Sequence, residues 1–123
     1  MNATAFAHVL ESVREAGTSH LSAANLANIL GLQQQDLAAM AGVHRNTLRT
    51  HPESPKLQAV LRDLMRVLSA ALEVQPDIER ALFLIKNQPI PAFRHKTLLQ
   101  LVQEGRTDDA IDYLESISGG FAG

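Results

Sequence analysis

The chain contains no cysteine and no tryptophan among its 123 residues. Disulfides, thiolate metal ligands, cysteine nucleophiles and thiol redox sensors are therefore excluded together. Aromatic residues make up only 4%, and no stretch alternates apolar and polar side chains between turn residues, so strand signals are missing. No run approaches the ~18 apolar residues that span a bilayer, and no basic segment leads into an apolar one at the start. Neither membrane insertion nor secretion is expected, and the chain reads as cytoplasmic. The phosphate- and nucleophile-loop signatures G-x-x-x-x-G-K, G-x-G-x-x-G and G-x-S-x-G do not occur. None of His8, His20, His44, His51 and His95 forms an i, i+4 pair beside a glutamate, and His44 with His51 alone make a poor metal site. Asp108 and Asp109 are adjacent on a predicted helix and diverge, which unsuits them to shared acid–base work. The expectation is a chain that is not an enzyme and takes no cofactor or metal.

A composition 46% hydrophobic is enough for a real core, and the charges are unevenly placed. Residues 1–43 sum to −2, residues 44–66 to +3 and residues 67–123 to −3. A basic centre between acidic flanks suits a focused phosphate contact, although such charges also serve simply to solvate helices.

Apolar periodicity of 3.6 recurs along the chain and predicts an all-α fold. Phe6, Val9, Leu10 and Val13 mark a first helix closing at Gly17, and Leu26, Ile29 and Leu30 a second before Gly31. Short helices are expected over Gln34–Ala41 and Arg45–Thr50, the latter stopped by Pro52. Ser54–Pro55 is a strong start signal for the longest helix, striped by Leu57, Val60, Leu61, Leu64, Leu68 and Leu72. That stripe fits a core first and a dimer seam second. Ile78, Ala81, Leu82 and Ile85 share a further face before Asn87, Pro89 and Pro91 break the pattern. Thr97 with Gln100 reads as a capping box opening a helix to Glu104, and Thr107 as the cap of a last helix turning Ile111, Leu114 and Ile117 inward. Beyond it Ser118–Gly119–Gly120–Phe121–Ala122–Gly123 reads as a tail, either a plug anchored by Phe121 or a frayed end.

The segment Leu37 to Arg49 has the spacing of a helix-turn-helix. Small Ala38 lets two helices approach, Gly42 supplies the positive φ of a sharp turn, and Leu37, Val43 and Leu48 fix the angle between them. Arg45 and Asn46 then stand where this motif meets base edges, the arginine matched to guanine and the asparagine to adenine. His44 precedes them, Thr47 follows, Arg49 lies one turn on, and Gln34 is placed for a phosphate. These six residues are the candidate DNA-binding set.

Leu37 to Arg49 resembles the Xre/Cro-type helix-turn-helix, L-A-x-x-x-G-V followed by a Ser or Thr cap, with His44 standing in the cap position. From about Glu79 the chain resembles the toxin-binding domain of Xre/MbcA/ParS antitoxins. The likeness is carried by Pro91–Ala92–Phe93, Lys96–Thr97, Leu101–Val102, Glu104–Gly105–Arg106, Asp109, Tyr113 to Ile117 and Gly119–Gly120. Many members have a glycine pair near Arg94–His95 and an aromatic near Phe83 or Leu84. The resemblance implies a homodimeric antitoxin that represses its own operon and neutralises a RES-domain, NAD-consuming toxin by covering its active site. On it, residues 1–19 form an N-terminal helix, 20–75 the DNA-binding domain and 76–123 the toxin-binding and dimerisation domain, with Ile117, Gly119, Gly120 and Phe121 at the toxin. The alternatives are a helix-turn-helix regulator without a toxin and a protein-interaction adaptor. Taken without the family, the acidic side chains Asp108, Asp109, Asp112 and Glu115 offer a surface to a basic partner or are merely solvated.

Overall fold

Helix caps set the architecture. The computed structural model describes the backbone of residues 2–15 and 17–122, and the side chains of residues 5–15 and 17–118. Among them every regular element is helical, and two isolated bridges, Arg14 with Leu21 and Ile90 with Lys96, are the only strand-like pairings. No helix of the described residues is long and apolar enough to cross a membrane. By packing, the chain divides into two compact units, residues 8–63 and residues 64–123 with 1–7.

In the first unit, α1 (Asn2–Val13) stops four residues short of the Gly17 expected to close it. The reason is a partner from outside the helix: the Val13 carbonyl accepts from the Ser22 backbone amide, and Glu15 N–H donates to the His20 carbonyl. Gly17, at φ 75°, belongs instead to the connecting turn. Ser22 caps α2 (Ala23–Leu30) through the Asn25 amide, and Gly31 ends it in the left-handed region at φ 68°. The next helix, α3 (Gln34–Ala41), packs on α2 and on the short α4 (Thr47–Thr50). Then Ser54, its Oγ 3.4 Å from the Leu57 amide, opens α5 (Pro55–Val74) where the Ser–Pro pair predicts.

Helix α5 is buried on more than the predicted stripe. Leu57, Leu61 and Leu64 in its first half, and Met65, Val67, Leu68, Ala71 and Leu72 in its second, are all buried, whereas Val60 is only half-buried. Burying each large side chain is worth roughly 1.5–3 kcal/mol. Gln58 is buried among them and its amide is fully used. Its Oε1 accepts from Leu21 N–H at 3.0 Å, while Nε2 donates to the Leu21 carbonyl at 3.0 Å and the Pro52 carbonyl at 2.8 Å.

The second unit holds the rest of α5, then α6 (Ile78–Asn87), a 3-10 turn at Pro91–Phe93, α7 (Leu98–Gln103) and α8 (Thr107–Ala122). Asp77 caps α6, and Ala81 and Ile85 are its buried residues. The predicted capping box is present: Gln100 N–H donates to Thr97 Oγ1 at 3.1 Å, and Thr97 N–H to Gln100 Oε1 at 2.8 Å. Helix α7 packs on α6 and on α8. Thr107 is the first residue of α8 and is buried, with Ala110 N–H on the Arg106 carbonyl. The inward side of α8 is consequently Thr107, Ala110 and Leu114, and Ile111 and Ile117 are half-buried flanks. Nor does the chain leave the helix after Ile117, since α8 continues to Ala122.

Candidate functional site

The turn between α3 and α4 positions the predicted DNA-binding residues. At the end of α3, Gly42 adopts φ 69°, and Val43 N–H returns to the Ala38 carbonyl at 3.0 Å. A Cβ on Gly42 would meet nothing within 4 Å, so it is the left-handed backbone that favours glycine there. Of the expected apolar anchors, Leu37 on α3 and Leu48 on α4 are buried, with Ala38 beside them, whereas Val43 is only half-buried.

Helix α4 begins at Thr47 rather than Arg45. Arg45 and Asn46 form a turn ahead of it, in which Thr47 N–H donates to the His44 carbonyl at 2.9 Å and Leu48 N–H to the Arg45 carbonyl at 3.2 Å. Asn46 stands at the helix N-cap without a side-chain capping bond, and the turn ahead of it is held by His44, whose Nδ1 accepts from the Asn46 backbone amide at 3.1 Å. The amide freed at the start of the turn is thereby satisfied, and the Arg45 and Asn46 side chains are left projecting outward.

Gln34, His44, Arg45, Asn46 and Arg49 are exposed, and Thr47 is half-buried. Gln34 and Arg45 meet at one open depression of about 480 Å³, shared with Ala24, Asn28 and Gln33. Among the described residues no carboxylate pairs with Arg45 or Arg49. The start of α3 is not purely positive, because Asp36 accepts the Gln33 amide with its Oδ2 at 3.0 Å.

No relative is found by comparison. No family model matches the chain, and no curated protein or solved structure matches it either. Geometry and residue chemistry therefore carry the functional argument.

In the second unit, residues distant in sequence come together around the loop from Ile90 to Lys96. The Phe93 ring meets Tyr113 edge-on at 6.4 Å between centroids, and the Arg106 guanidinium lies 5.2 Å from the Phe93 centroid. Arg106 Nε donates to Asp109 at 2.9 Å, and Glu104 bridges Lys96 and Arg106. Phe93, Lys96, Glu104, Arg106, Asp109 and Tyr113 thus form one connected cluster. Arg94 and His95, within the same loop, sit at φ 57° and 65°, the two non-glycine residues with positive φ among those described. The left-handed backbone falls at Arg94–His95, the positions near which the resemblance places a glycine pair; nothing else in the local sequence announces it. Of the residues assigned to a toxin, Ile117 is half-buried on α8, and the side chains of Gly119, Gly120 and Phe121 lie outside the described residues. Among the described residues no three His, Asp or Glu side chains converge as a metal site.

Proposed function

We propose that the chain is a DNA-binding antitoxin: a helix-turn-helix formed by α3 and α4 represses its own operon, and the region beyond residue 76 neutralises a RES-type toxin. The observation that carries the DNA half is the exposure of Arg45, Asn46 and Arg49 beside a glycine turn, with neither guanidinium paired to a carboxylate among the described residues. A free arginine fork suits guanine or phosphate, and asparagine suits adenine. In support of the second half stands the cluster of Phe93, Lys96, Glu104, Arg106, Asp109 and Tyr113, residues through which the chain resembles antitoxin domains. Within this reading Ile117, Gly119, Gly120 and Phe121 meet the toxin.

The test has two arms. In a gel shift with DNA from upstream of its own gene, Arg45→Ala should cost about 1–3 kcal/mol and relax sequence preference, and Arg49→Ala should weaken binding more evenly. Unchanged binding by the Arg45, Asn46, Arg49 triple alanine variant would remove the assignment. In the other arm, co-expression with a RES-domain protein from the adjacent reading frame should restore growth, and no rescue leaves a regulator without a toxin.

A further inference from the structure

The loop from Ile90 to Lys96 is held from several sides. Ile90 N–H donates to the Lys96 carbonyl, His95 N–H to the Ile90 carbonyl and Lys96 N–H to the Phe93 carbonyl, with Ile90 itself buried. This frame requires left-handed backbone at positions 94 and 95, which glycine provides without strain. It does not require the side chains found there. Arg94 and His95 are both exposed, and neither side chain forms a hydrogen bond or ion pair among the described residues. The cations beside them are committed, Lys96 to Glu104 and Arg106 to Asp109 and Glu104. Two strained positions therefore carry polar groups that do nothing for the fold, and strain retained in this way accompanies recognition.

We propose that Arg94 and His95 form a recognition element for carboxylates on a protein partner. The assignment rests on the antitoxin reading and makes the toxin that partner. Carboxylates are favoured over nucleic-acid phosphates by the setting. Residues 64–123 carry six basic and eight acidic side chains, so a polyanion is repelled at range by this stretch as a whole. A short, directed pairing between a guanidinium fork and one carboxylate is not. Because the backbone is fixed, both side chains start from set directions, which lowers the ordering cost of binding and raises discrimination between partners.

The experiment uses the full-length chain and the RES-domain protein from the adjacent reading frame, with affinity read by calorimetry. The R94G/H95G variant should bind that protein on the order of tenfold more weakly, melt no lower than the parent, and shift operator DNA as the parent does. R94K, which keeps the charge without the fork, should fall between the two. Parental affinity in R94G/H95G overturns the inference alone, while weakened operator binding would reassign the pair to phosphate and overturn it too. If the parent itself does not bind the RES-domain protein, the antitoxin reading fails and the inference with it.

Discussion

Two side chains show how much a single residue can decide. His44 occupies a place where a short hydroxyl residue is the usual cap, yet its ring nitrogen reaches the Asn46 amide. Replacing it by alanine should cost about 1 kcal/mol in urea unfolding, and replacing it by serine should restore most of that. If His44 acts only through this bond, the serine variant should also bind operator DNA as the parent does; a deficit in DNA binding at full stability would give the ring a contact of its own. Gln58 is the stronger case. Substituting leucine leaves the Leu21 amide and carbonyl and the Pro52 carbonyl without their partner in a buried setting, so a loss on the order of 3 kcal/mol is expected. Denaturation showing under 1 kcal/mol would mean that these backbone groups find other partners.

At the level of elements, the chain's own punctuation was largely readable. Ser54–Pro55, Thr97 with Gln100, and the glycines at 31, 42 and 105 mark helix ends through groups within a few residues of each other, and the structure uses them so. What escaped depends on partners far along the chain or across a turn. The close of α1 is set by Ser22, nine residues beyond Val13, and the burial of Gln58 by Leu21, at a separation of 37. The turn ahead of α4 includes a bond from the Asn46 amide to an imidazole nitrogen, which no periodicity encodes. For the candidate site, residue types and register were legible, but the place of Arg45 and Asn46 in a turn was not. The α3–α4 connection also makes a clean prediction. Gly42→Ala places a Cβ at φ 69° in open space, so the cost should be backbone strain alone, about 1–2 kcal/mol, with operator affinity falling in step as the turn reopens. Thermal melting and gel shift on the same preparation would check both.

For the molecule as a whole, charge makes a further prediction. The formal charge is −2, so the proposed affinity for DNA draws on the basic stretch over residues 44–66 and should fall steeply with salt, by about 0.9 in log K per log unit of salt for each phosphate contacted. One reading turn covers few base pairs, so a homodimer on half-sites roughly 34–36 Å apart is expected. Light scattering with and without operator DNA checks this, and a monomer at micromolar concentration in both would count against it. The division into packing units has a consequence in time. Residues 8–63 are one uninterrupted stretch, whereas residues 1–7 belong with 64–123 and the division falls inside α5. On the ribosome, at about 5–20 residues per second, the first unit can close while the second is still being made. Residues 1–7, first to emerge, group with residues 64–123 and so wait for the second unit. The unit proposed to hold DNA is thus complete a few seconds before the one proposed to hold a toxin.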